Sequence, residues 1–159
     1  MKRQLLAVAA AAWSCVVVFS LGAETEDARV RAALETSGLK FEVNGRHNYT
    51  ARFDMPDGRF QRVFVNSGTT TSGNYEFREV WSVAYVGVAL SGETLENLLD
   101  ENADLKLGGW RLVSGEQTIL LFSVPVPANA DGRFLASAMM LCASSSDQME
   151  KSLADSDSF

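Results

Sequence analysis

The run Tyr75–Leu90, YEFREVWSVAYVGVAL, sets the strictest limit on the fold. Its β-branched and aromatic residues make it a strand. A strand with one wet face alternates apolar and polar residues, yet the second half of this run, VWSVAYVGVAL, is apolar on both faces. It therefore predicts a central strand covered on both sides, by helices or by a partner.

Elements on either side supply the rest of a layer. Glu24–Gly38 reads as a helix capped by Thr25, with Glu26 and Asp27 at its positive end and Val30, Ala33 and Leu34 on one stripe. Leu39–Val43 starts extended, Asn44-Gly45 interrupts, and His47–Met55 resumes with alternation. Past the Pro56-Asp57-Gly58 turn, Arg59–Asn66 is the next strand. Ser67–Asn74, SGTTTSGN, reads as a flexible polar loop closing a hairpin.

After the long strand, Ser91 caps a second helix with Leu95, Leu98 and Leu99 on one face. Trp110–Val113 and Gln117–Val126 form a hairpin across Ser114-Gly115-Glu116. Asp131 caps a long last helix striped by Leu135, Met139, Cys142, Ser146, Met149 and Leu153. Ser156–Phe159 reads as a frayed, disordered tail. The order is α-β-β-β-α-β-β-α, and short hairpin links imply an antiparallel sheet. The expected fold is α+β: a two-layer antiparallel five-stranded sheet with helices packed against it.

Residues 1–23 say where the chain goes. Lys2 and Arg3 form a positive start, an apolar run follows from Leu5 to Leu21, and small residues precede the switch to ETEDARVR. This pattern reads as a secretory signal peptide, cut after Gly22 or Ala23. A retained anchor is the rival, and its apolar run is short for a bilayer. The expected location is periplasmic or secreted, with membrane contact only through an uncleaved leader. Residues 24–155 then form one domain.

The chain has 14 basic and 20 acidic residues. Loss of Lys2 and Arg3 leaves 12 basic residues against those 20 acids, a net charge of −8. Such a balance argues against nucleic acid as a partner. Loss of Cys15 leaves Cys142 alone, so no intrachain disulfide is expected. One His and one mature Cys exclude a His/Cys metal site within a single chain, and the acid clusters Glu24/Glu26/Asp27 and Asp100/Glu101/Asp104 lack the order of a calcium loop. No metal, cofactor or catalytic residue is expected. His47 reads as a surface-turn histidine and Cys142 as a small buried hydrophobe. Asn48-Tyr49-Thr50 matches an N-glycosylation acceptor, a pattern common by chance.

The VAYVGVAL strand and the following LENLLDENADLKLGGWRLVSGEQTILLFSVPVP resemble the YbjN family, whose domain has the type III secretion chaperone-like fold. A leucine-rich helix with an Asn-bearing end leads through glycine to a short strand, a hairpin and a strand closing in prolines. The likeness covers Glu24 to about Ala154. It implies a five-stranded antiparallel sheet packed by the first and last helices, often dimeric, and a role in holding other proteins or in regulation. The export signal departs from the cytoplasmic secretion chaperones.

Apolar surface is the remaining candidate for function. Trp81, Tyr85, Trp110 and Phe122 are large groups in a small domain, and belong either to the core or to an interface for self-association or a partner's extended segment. The expected activity is that of an exported non-enzymatic protein-binding, chaperone-like module; the alternative is a small-molecule or lipid-binding periplasmic domain with an aromatic-lined pocket.

Overall fold

A computed structural model of the chain describes residue 23, residues 25–153 and residues 158–159. The leader, apart from Ala23, lies outside the described residues, as do residues 156 and 157 of the expected tail. In chain order the elements are α1 (Ala28–Ser37), β1 (Glu42–Val43), β2 (Tyr49–Asp54), β3 (Phe60–Val65), β4 (Thr70–Ser72), β5 (Tyr75–Gly87), α2 (Gly92–Asp104), β6 (Gly109–Ser114), β7 (Thr118–Pro127) and α3 (Gly132–Leu153). All strand pairs are antiparallel. The sheet runs β1-β2-β3-β5-β7-β6, with β4 paired to the start of β5. The class is α+β with an open antiparallel sheet.

Among the described residues, seven strands stand where five were expected. β1 is two residues long, held by an Asn44 turn whose side-chain carbonyl accepts from the Arg46 and Asn48 N–H groups. β4 lies inside SGTTTSGN and pairs Thr70 with Phe77 and Ser72 with Tyr75. Threonine favours extended backbone, but every β4 residue is exposed, so no alternation marks the strand in the sequence. The α1 cap is Asp27 and not Thr25: its carboxylate accepts from the Arg29 N–H at 2.8 Å. Ser91 and Asp131 cap α2 and α3 as their positions suggest.

β5 is central, between β3 and β7, but α1 and α3 cover only one of its faces. Val80, Ser82 and Ala84 are buried, while Phe77, Glu79, Trp81 and Val83 on the other face are half-buried. A bulge between Val83 and Tyr85 breaks the alternation, which is why the run looks apolar on both sides. Expected cover on the second face does not come from α1 or α3.

On the covered face, Val30 and Leu34 of α1 and Leu135, Met139 and Cys142 of α3 close over Tyr49, Val63, Val80, Phe122 and Val124. Each such fully buried side chain contributes about 1.5–3 kcal/mol. α1 crosses α3 at Gly132, where a Cβ would lie 2.5 Å from the Ala33 carbonyl oxygen. That approach leaves room for no side chain.

Pro125 and Pro127 lie inside β7, a position central strands refuse. The pairing explains it. β6 reaches only Ser123, and the Ala128 N–H donates to the Glu76 carbonyl, so the even residues of β7 bond β5. The two prolines therefore turn their missing N–H groups to an edge that β6 has already left. They guard it.

Candidate functional site

The face opposite α1 and α3 is built around one row. Thr50, Phe64, Trp81, Ser123 and Gly109 lie side by side across β2, β3, β5, β7 and β6. Phe64 and Trp81 stack with centroids 4.3 Å apart and planes at 15°, and the Trp81 indole N–H donates to Asn66 Oδ1 at 2.9 Å. The hydrogen bond fixes the ring, so the pair is a rigid aromatic platform. Val83, Leu121 and Arg111 form the next row, and Arg111 pairs with Glu79. Towards the β2–β3 hairpin the face turns polar. Arg52 and Arg62 stand directly opposite one another, and the Arg52 guanidinium lies 4.1 Å over the Phe60 ring.

Trp81, Tyr85, Trp110 and Phe122, read as core or interface groups, do not share one face of the sheet. Trp81 is on this uncovered face. Phe122 pairs with Ser82 on the helical side, is 1 % exposed, and meets Trp110 edge-to-face at 5.0 Å. Trp110 also donates its indole N–H to Glu101, and the Asn102 amide bonds both its backbone N–H and its carbonyl. This side chain from α2 caps the free edge of β6. Tyr85 follows the bulge, so it pairs with Leu120; its ring lies across Gly87, where a Cβ would be 2.4 Å from the hydroxyl oxygen. Phe64 is the residue that sequence reasoning missed. Its signal was there in RFQRVFVN, where it alternates against the buried Val63 and Val65.

Groups with chemical potential are engaged in structural bonds. Arg78, 2 % exposed, donates to the carbonyls of Asn66, Ser67 and Ala128 and to Asp27 Oδ2 at 2.7 Å. Burial by itself would push the Asp27 carboxyl up, but hydrogen bonds from Arg29 and Arg78 outweigh it and hold Asp27 far below the ordinary range. Hydrogen bonds from Arg29 and Thr69 take Glu76 down to about 2.

A second buried network ties α3 to β3. Glu150 Oε2 accepts from Arg59 at 2.9 Å and from the Gln61 amide at 2.8 Å, Ser82 donates to Gln61 Oε1, and Ser146 donates to the Ser82 carbonyl. The Ser158 N–H donates to Glu150 Oε1 at 2.7 Å, so this part of the expected tail bonds back to α3. Asp147 lies between Arg59 and Lys151; their hydrogen bonds overcome the upward push of burial and lower its pKa.

His47 is exposed in the left-handed region at φ 62°. Cys142 is buried, donates to the Val80 carbonyl, and is pushed upward in pKa by burial. Asn48 is buried and its Oδ1 accepts from the Ser67 N–H, so the acceptor side chain of the triplet is engaged inside the fold. Among the described residues no group of three or more His, Cys, Asp and Glu could hold a metal ion, and no helix is long and apolar enough to cross a membrane. No protein-family model matches this chain, and no curated protein matches it.

Proposed function

We propose that this chain is an exported, non-enzymatic protein-binding module, chaperone-like in the sense that its YbjN likeness implies, acting in the periplasm or after secretion. The observation that carries the reading is the Phe64–Trp81 platform on a sheet face that α1 and α3 leave uncovered. A rigid aromatic pair ringed by Arg52, Arg62 and the Arg111–Glu79 pair has the apolar centre and polar rim of a recognition surface. The leader pattern supports export, and the acidic balance speaks against nucleic acid as the partner.

Photo-cross-linking in the cell envelope, with the label beside Trp81, tests this. The expected result is a discrete cross-linked protein that is lost in Phe64→Ala and Trp81→Ala variants of unchanged circular dichroism. A cross-link pattern indifferent to both variants, or a chain retained in the cytoplasm, refutes it.

A second reading, small-molecule or lipid binding, would use the open groove of about 740 Å³ between α1 and α3, floored by Gly132 and flanked by Ser37, Arg133, Ala136, Ser137 and Met140, which holds none of the aromatics expected to line such a pocket. Native mass spectrometry of gently extracted protein decides between them: a co-purifying apolar ligand displaced by Ala136→Trp favours the groove.

A further inference from the structure

Gly45, Gly58 and Gly132 each follow a residue whose side-chain carbonyl the next backbone nitrogen could attack: Asn44, Asp57 and Asp131. Such attack closes a five-membered ring, and glycine eases it by placing no Cβ beside the nitrogen. The fold separates the three. Asp131 spends Oδ1 on the Phe134 N–H, and Gly132 is packed against the Ala33 carbonyl. Asp57 and Asp131 are also carboxylates, whose negative charge repels a nucleophile. Asn44 is neutral, and no other asparagine of the sequence precedes a glycine.

The turn around Asn44 arranges the reacting groups. Asn44 Oδ1 accepts from the Arg46 N–H at 2.9 Å and from the Asn48 N–H at 3.1 Å. Two donors on one amide oxygen draw charge from Cγ and are in place for the oxyanion that attack creates. The bond to Arg46 makes an Asx turn, which folds Cγ back over the main chain towards the Gly45 nitrogen. The His47 N–H donates to the Asn44 carbonyl and the Asn44 N–H to the Asn48 carbonyl, both at 2.9 Å, so the turn is held from both ends. Gly45 is exposed, and among the described residues neither its N–H nor Asn44 Nδ2 has a hydrogen-bond partner. Nucleophile and leaving group are free, and only the carbonyl oxygen is fixed.

We propose that Asn44-Gly45 is a self-modifying site, where the folded turn converts its own amide with water as the co-reactant. The Gly45 nitrogen bonds to Asn44 Cγ as the Cγ–Nδ2 bond breaks, and ammonia leaves with the proton that the nitrogen gives up. Water then opens the cyclic imide at either carbonyl, leaving aspartate or isoaspartate at position 44. Nothing is oxidised or reduced. Isoaspartate routes the main chain through the side-chain carbons and so adds one methylene between β1 and β2. The Asn44–Asn48 bond and the two-residue β1 ladder depend on the original spacing, so the isoaspartate form releases β1 from β2. This site is independent of the Trp81 surface and of what binds there.

Incubation of the purified full chain in neutral to mildly alkaline buffer tests it, read by peptide mass spectrometry and enzymatic isoaspartate methylation. In the folded protein Asn44 is expected to convert at least as fast as in the urea-unfolded chain, while Asn48 and Asn102 stay amides. A Cβ at position 45 meets nothing within 4 Å, so Gly45→Ala keeps its circular dichroism. It is expected to slow conversion by about tenfold or more, because the methyl hinders the approach of the nitrogen. Hydrogen exchange at the Glu42 and Thr50 amides, opposite one another in the ladder, should quicken in the isoaspartate fraction. A folded chain that keeps Asn44 while the unfolded chain converts it overturns the inference. So does a rate that Gly45→Ala leaves unchanged, or exchange at Glu42 and Thr50 that is the same before and after conversion.

Discussion

Arg78 is almost wholly buried in β5, yet its guanidinium reaches across to Asp27, the residue that caps α1, with Nη2 and Oδ2 2.7 Å apart. The same carboxylate bonds Arg29, and Arg29 bonds Glu76, two residues before Arg78 in β5. One side chain therefore couples the start of α1 to the middle of the sheet.

Asp27→Asn removes a charge from that arrangement. Arg78 keeps three carbonyl acceptors, so the loss is about 2–3 kcal/mol, short of the full cost of an orphaned buried charge. The folded-state pKa of Asp27 lies below its unfolded value, so its contribution is present above about pH 4 and is lost as pH falls further. Urea midpoints measured from pH 6 to pH 2 should fall steeply for wild type and less steeply for the variant.

Glu150→Ala leaves Arg59 short of a carboxylate and the Gln61 amide without its acceptor, at a position closed off from the protein surface. A loss of about 3–5 kcal/mol is expected from chemical denaturation. A double-mutant cycle with Gln61→Ala should show strong coupling, because both residues belong to one network.

Gly132→Ala should destabilise by about 1–3 kcal/mol, although alanine favours helix elsewhere. The new methyl would press on the Ala33 carbonyl and the Ser37 N–H, both backbone and unable to rotate away. A lower thermal midpoint with unchanged helix content by circular dichroism is the expected result.

His47→Gly should raise stability by about 0.5–1 kcal/mol. The position sits at φ 62°, which costs about 1–2 kcal/mol for a residue with a Cβ, partly offset by the freer unfolded chain of glycine. The same variant should leave the Trp81 cross-link intact, since the imidazole plays no part in that surface.

The Cys142 thiol should stay unmodified by an aromatic disulfide reagent in the folded protein and react only as fast as the domain opens. Burial suppresses its thiolate, and its Sγ donates inward to the Val80 carbonyl.

Local patterns in the sequence determined the helices, the hairpins and the α+β class, because caps, turn residues and apolar spacing act over a few neighbouring residues: Ser91, Asp131 and the Leu135–Met139–Cys142 stripe all sit where their chemistry places them. β4 escaped because it has no buried face, and β1, inside the extended Leu39–Val43, is too short to show as a strand separate from the one that resumes at His47. Only tertiary structure decided which face each aromatic takes. The bulge at Ala84 sends Tyr85 to the side opposite Trp81, and cross-strand register pairs Phe64 with Trp81 although 17 positions separate them. It also decided that Arg52 and Asp54 stand on an open edge, because an edge exists only once every other strand has found its neighbour.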